Sequence, residues 1–525
     1  ALDADGRATF AATSAGSYRF DLVSSDGSST VTNAAIVHVG TIGDTGAPLV
    51  QLLAPDADSE VTSPTTVLAT IDDADLARWQ LFLATGESDP APRLIATGDA
   101  NVAAAAITTL DPTMLINGYY QLILTATDRG GRSSSDRRAL RIDGDLKLGH
   151  FSLSFLEAEV PLMGIPIRIT RTYDTRQSHE HLDFGHGWSI DYQNVRVREN
   201  RRPGFAWSQT QEGGPFGQWC VRSNGAREVT VTLPDGDVET FRAKFNPECS
   251  GLTANVVGTL LFEPVGDTQS TLEQTDYGTV QLINTGAGPN LADPGNPSVP
   301  VDPQHYQLKT AEGIVYVLDQ DFGIRMIADQ HENTLSFSRE GILHSSGVSI
   351  PFTRDSAGRI TRIALPDGQT LRYAYNANGD LIESRDQLGN ATTVSYLTNP
   401  RYPHWLEEIR DPLGRRAIRN EYDASGRLVK TIDANGQAQE FTHALATHTT
   451  SVKNRLGRTT TYGFDDDGNI VSETNPLNET TLRSYDGDGN ELTVTDPPAP
   501  AVHQAPANTC MCVMSPVKLR PAGPV

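Results

Sequence analysis

His179, His181 and His186 fall in one short polar stretch, and imidazoles grouped so closely could ligate a metal. That stretch lies between Tyr173 and Trp188 and predicts an exposed loop, which favours solvated histidines over a metal centre. Two acidic turns, Asp465-Asp-Asp-Gly468 and Asp486-Gly-Asp-Gly-Asn490, bring carboxylates together as a calcium loop does. A loop of the EF-hand kind needs glycine at its sixth position, and counted from Asp486 that position is Glu491. Asp and Asn also tolerate the left-handed backbone of tight turns, which accounts for them without an ion. Glycosidase carboxylates must face each other across a cleft at a fixed separation. Here the acids recur beside glycine, where turns require them. Trp188, Trp207, Trp219 and Trp405 could form sugar-stacking platforms, although large aromatics serve more often in packing. No nucleophile elbow, HExxH, P-loop or dinucleotide fingerprint occurs. These residues predict no enzyme, no cofactor and no metal.

Four cysteines occur. Cys220 and Cys249 flank two strand-like runs, Val229–Leu233 and Val238–Phe241. In an oxidising compartment they could pair; otherwise they are two thiols that never meet, since spacing alone does not fix pairing. Cys510 and Cys512 lack C-x-x-C spacing and are assigned no role.

At 525 residues the chain is long enough for two to four domains. A formal charge of −23 and a pI near 4.9 argue against the basic stripe that nucleic acid or an anionic membrane surface would need. No apolar run approaches the roughly 18 residues of a membrane helix. The opening residues, Ala1–Phe10, carry no signal segment and read as the middle of a β-module, so the sequence looks like an excerpt.

Helical periodicity is almost absent. Short runs rich in Val, Ile, Thr, Leu and Tyr alternate with Asp-Gly, Asn-Gly and Gly-Asn, the dipeptides of tight hairpins, which predicts an all-β fold. Residues 1–44 read as the last strands of a sandwich, with runs at Ala8–Phe10, Gly16–Val23 and Ala34–Val39. Residues 45–143 hold about seven short runs, the size of an immunoglobulin-like sandwich. Within them Tyr119 or Tyr120 would anchor the corner of a late strand, and alternation sets Tyr120, Leu122 and Leu124 on one face.

A repeat follows. Tyr375…Gly379, Tyr422…Gly426, Phe464…Gly468 and Tyr485…Gly489 are aromatic-to-glycine units, and positions 422, 464 and 485 are 42 and 21 apart. His443 stands at the skipped position. A second turn starts at Asp411, Asp433, Asn454 and Asn475, spaced by 22, 21 and 21. Two markers holding one period define a true repeat of paired strands and turns. A lone hairpin is marginal, so the units must stack, their aromatics aligned between neighbours.

Ahead of the repeats, Gly164, Pro166, Arg171 and Tyr173 are followed by Phe184, Gly185, Gly187 and Trp188. This order resembles the lead-in region of Rhs/YD-repeat proteins, where a G-x-P-x-x-x-x-R-x-Y strand precedes an fG-x-GW turn. The resemblance covers roughly residues 144–497: a lead-in region with degenerate repeats at 144–345 and YD-repeat hairpins at 346–497. It implies immunoglobulin-like modules followed by a large spiralling antiparallel sheet, part of a shell. In toxin-bearing members the shell encloses a C-terminal effector and can include a self-cleavage region; this chain has no terminal core motif and no effector domain. The expected protein is a bacterial, structural, secreted or cell-surface fragment whose partner is a C-terminal effector outside this chain. An extracellular module binding carbohydrate or another cell's surface is the alternative, and Trp188 and Trp405 would line its groove. Residues 498–525 read as a disordered or truncated tail.

Overall fold

The computed structural model describes residues 9–25, 27–41, 43, 45–86, 89, 91–144, 147–214, 216–233, 237–250, 256–266, 268–285, 288–399, 401–465, 468–486 and 491–497. Gly489 and the tail, with Cys510 and Cys512, lie outside them. The chain divides into two compact units, residues 1–111 with 119–141 and residues 112–118 with 142–525. Among the described residues there is no α-helix, and no helix long and apolar enough to cross a membrane.

In the first unit Gly16–Ser25 and Thr30–Val39 pair only with each other. Both faces of that hairpin are largely exposed, and among the described residues it joins no further strand. Beyond it lie two antiparallel sheets. One is Leu49–Ala54, Thr65–Asp72 and Val102–Leu110; the other runs Glu60–Val61, Ser133–Ile142, Gly118–Asp128, Leu76–Ala84, Arg93–Gly98. Val67, Ala69 and Ile71 of the first sheet and Leu122, Leu124 and Ala126 of the second are buried at every other position, as strands with one face inward require. Tyr119 and Tyr120 are both buried.

The second unit contains a 26-stranded antiparallel sheet running from Arg196–Glu199 to Glu491–Thr495. From Val315–Asp319 onward every strand pairs with its sequence neighbours, while His305–Lys309 pairs back with Thr271–Gln274. The sheet crosses 345/346 unbroken, because Gly341–His344 pairs with Ser349–Arg354; the degenerate repeats and the YD hairpins are one element. Smaller sheets accompany it: Ser152–Val160, Ile167–Asp174 and Trp188–Ile190; the hairpin His181–Leu182 with Gly185–His186; and Trp207–Glu212, Gln218–Ser223 and Cys249–Ser250. In the last of these Cys220 and Cys249 sit opposite each other and are joined by a disulfide.

One turn closes most repeat hairpins. At Asp411 the side-chain Oδ1 accepts from the backbone of Leu413 and Arg415, both at 2.9 Å, while Oδ2 accepts from Arg415 Nε at 2.7 Å. Asp386, Asp423, Asp433, Asn454 and Asn475 cap their turns through the same backbone bonds. The fourth residue of each turn must take the left-handed conformation: Gly414 lies at φ +75°, and Asn478, the one position here without glycine, at +62°.

Candidate functional site

The lead-in segment, residues 149–192, packs across the repeat strands roughly two hundred residues further along, within one continuous core. Its centre is Trp188, fully buried and paired across the sheet with Tyr173, ring centroids 5.1 Å apart. Trp188 Nε1 donates to the Tyr396 hydroxyl at 2.8 Å. The Tyr173 hydroxyl donates to the His404 carbonyl at 2.8 Å and accepts from the Leu406 amide at 2.9 Å. Arg171 lies beneath them, 2% exposed, its guanidinium 4.3 Å from the Trp188 ring and 4.9 Å from that of Phe155. Its charge is met by Glu157 at 2.7 Å, and Glu157 also accepts from the Tyr373 hydroxyl at 3.2 Å. Phe184 is buried against Tyr373, centroids 4.7 Å apart.

Glycine is required where the segment touches backbone. Gly185 lies at φ +90°, and a Cβ there would strike the Gly379 carbonyl oxygen. Gly164, at φ +80°, leaves no room beside the Asn333 side chain. Gly187 also has positive φ and lies against the Tyr173 ring, while Pro166 sits half-buried just before the strand Ile167–Asp174. All eight motif residues thus lie in or beside this contact.

The polar stretch between Tyr173 and Trp188 is not the exposed loop its composition predicts. Asp183, Phe184 and Gly185 are buried, and the segment is pinned by an Arg354–Asp183 ion pair at 2.5 Å and by a Tyr192–Asp183 hydrogen bond. His186 stacks on His404 at 3.7 Å, and His404 Nδ1 lies 2.5 Å from Asp380. Among the described residues, the acid, thiol and imidazole groups close enough to share an ion are Glu212 with Cys220 and Cys249, whose sulfurs are bonded to each other, and Asp73 with Asp75 and Asp128; the histidine cluster supplies no such set. Trp188, Trp207 and Trp405 are buried and Trp219 is half-buried. Trp188 and Trp405 therefore line no groove.

The repeat aromatics form a ladder of rungs. Each tyrosine sits at a β-bulge, and its hydroxyl donates to the carbonyl of the residue facing the preceding unit's bulge. Tyr375 bonds Ile360 at 2.5 Å, Tyr396 bonds Leu381 at 2.8 Å, Tyr422 bonds Leu406 at 2.9 Å and Tyr485 bonds Ile470 at 3.2 Å. His443 takes the same place with Nε2 3.1 Å from the Leu428 carbonyl. Phe464 has no hydroxyl and stacks on His448 instead, centroids 5.2 Å apart. Gly379 packs on His186, Gly426 packs on Tyr402 and Trp405, and Gly468 takes the left-handed turn position. Motif spacing located Tyr375, Tyr422 and Tyr485; Tyr396 lies one 21-residue period after Tyr375 and was missed because Pro400 stands where the aromatic-to-glycine unit has glycine, whereas Glu157 and His404 carried no sequence signal of their role. Replacing Tyr422 by phenylalanine should lower stability by about 1 kcal/mol, the net contribution of one such bond, in urea unfolding. His443→Tyr should keep the rung, and an unchanged midpoint for Tyr422→Phe would show that the rung contributes nothing.

Burial, then the neighbouring His404 and His181, lower the His186 pKa to about 4; Arg359 also lowers it and Asp380 opposes. A histidine depressed in the fold stabilises it above its unfolded pKa near 6.5, and that contribution is lost as pH falls towards 4. His150, also near 4 through burial and Arg176, acts in the same sense. Asp191 acts oppositely: burial raises it to about 6, so its protonation favours the fold as pH falls. The difference between wild type and His186→Gln isolates the first effect. Wild type should lose more thermal stability than His186→Gln between pH 7 and 5; parallel curves would refute it.

The fold and this contact define an all-β repeat protein in which stacked hairpins are tied to a leading segment. The family model described as RHS Repeat matches residues 354–393 and 464–497. The chain therefore contains RHS repeats within its 26-stranded sheet. No curated protein matches it in sequence. Among solved structures, a crystal structure of TcdB2-TccC3-Cdc42 is similar at 12% identity and TM-score 0.27, covering 72% of this chain and 23% of that one. A protocadherin gammaB7 EC3-6 cis-dimer is similar at 10% identity and TM-score 0.13, covering 58% and 81%. The chain thus spans less than a quarter of the first of these, and scores so low do not establish a shared fold.

Proposed function

We propose that this chain is a structural, non-enzymatic part of a secreted or cell-surface YD-repeat protein. In this reading residues 45–143 are an immunoglobulin-like spacer, and the repeat sheet forms part of a shell that encloses or presents an effector following it in the full-length protein. The observation that carries the reading is one continuous sheet with the lead-in segment sealed onto its apolar face, Trp188 against Tyr396 and Tyr173 against His404 and Leu406. Such a wall is rigid, and its buried polar groups are spent on holding strands together. Limited proteolysis of the full-length protein tests it. The segment beyond residue 497 should resist cleavage while the sheet is folded and become cleavable once urea opens it. Cleavage in the native protein as fast as in the unfolded one would overturn the enclosure.

A further inference from the structure

Two backbone hydrogen bonds join the lead-in segment directly to the repeats. The Ile360 amide donates to the Asp183 carbonyl at 2.8 Å, and the Leu428 amide donates to the Gly149 carbonyl at 2.7 Å. Each amide opens the strand that follows an Asp-x-x-Gly-Arg turn, at 355–359 or 423–427. A histidine stands beside each bond on the lead-in side: His186 in the hairpin whose turn holds Asp183, and His150 next to Gly149. In both rings Nδ1 is buried and meets no hydrogen-bonding partner. A neutral ring tolerates this, because the bare nitrogen is only an idle acceptor. Protonation would place an N–H there with nothing to receive it.

The surroundings oppose that charge too. His404 stacks on the face of His186 at 3.7 Å, His181 meets it edge-on at 5.4 Å, and Arg359 adds positive charge from the repeats. Asp380 acts against these three, but it already faces His404 Nδ1 at 2.5 Å. Around His150, Arg176 and Lys147 disfavour a positive ring and Asp174 favours it, and Asp174 is bound to Arg176 at 2.5 Å. We propose that His150 and His186 form a two-point acid latch: protonating either ring frees its stretch of the lead-in segment from the repeat turn it covers, without unfolding the sheet. The latch stands whether or not the sheet encloses an effector. Its direction follows from the two titrations. Both rings are depressed to about 4 while docked, and a released ring takes its proton near 6.5. Release therefore takes up a proton between those values, and each open contact becomes about twentyfold more populated from pH 7 to pH 5. Asp191 works in the opposite sense, but its carboxylate holds the Thr170 amide rather than either of these bonds.

Hydrogen exchange of the full chain, resolved at the Ile360 and Leu428 amides and corrected for the intrinsic pH dependence of exchange, tests this. Both amides should lose protection about twentyfold between pH 7 and pH 5, while the amides of Val238–Asn246 keep theirs. His186→Gln should abolish the response at Ile360, and His150→Gln the response at Leu428. A magnetic-resonance titration of the wild-type histidines reads the same claim without a variant: His150 and His186 should titrate near 4. Unchanged protection at either amide in wild type, or a response that survives the matching glutamine, overturns the proposal. So do rings that titrate near 6.5, or a loss of protection that includes Val238–Asn246, which would be acid unfolding and not release.

Discussion

Trp188→Ala should destabilise the second unit by about 3–5 kcal/mol, the cost of emptying a large fully buried aromatic site. The indole touches Tyr173 and Arg171 and donates to the Tyr396 hydroxyl, so its loss opens a cavity where the lead-in segment meets the repeats. The damage should therefore appear far away in sequence. Hydrogen exchange should accelerate in Thr370–Tyr375, Ala391–Tyr396 and Leu406–Arg410 as well as in the leading strands. Acceleration confined to residues near 188 would mean that the two segments are held independently.

Arg171→Ala should be comparably severe, about 3–5 kcal/mol, because it strands the nearly buried Glu157 carboxylate without its countercharge. Removing both partners is a different experiment. Arg171→Leu/Glu157→Leu replaces a buried ion pair by apolar volume and should recover most of that loss, since such exchanges are often neutral. The comparison is made by urea midpoints. If the double variant is no better than Arg171→Ala, the stacking of the guanidinium on Trp188 and Phe155, rather than charge compensation, is what the site needs.

The β-character, the hairpin turns and the 21-residue period are legible in the sequence because each depends on local chemistry: Asx capping, a left-handed fourth residue and an aromatic placed before the turn. The second strand of each unit was not. It buries its first and fourth residues, Leu406 and Ile409 or Leu428 and Thr431, because the bulge opposite its first residue breaks the two-residue alternation. Alternation searched for in Gly426–Asp433 therefore finds nothing. The lead-in motif was recognisable, yet its partners were not: Tyr396 keeps the 21-residue period from Tyr375 but lacks the glycine four residues on, and His404 differs in no local way from other turn-flanking residues. The histidine stretch misled for a related reason. Polar composition predicts solvent, but His186 and Asp183 are polar because they meet polar groups on the sheet, His404 and Arg354. His443 shows the converse: it stands at the skipped position of the period and, despite its residue type, fills a rung there.

The central claim is that the lead-in segment is docked on repeat strands some two hundred residues away, and a double-mutant cycle between Trp188 and Tyr396 tests it most directly. Trp188→Phe and Tyr396→Phe each remove one side of the 2.8 Å Nε1–hydroxyl bond. The account predicts a coupling free energy of about 0.5–1.5 kcal/mol, the net contribution of a buried hydrogen bond, with the double variant less destabilised than the sum of the singles. Strict additivity would contradict the docking.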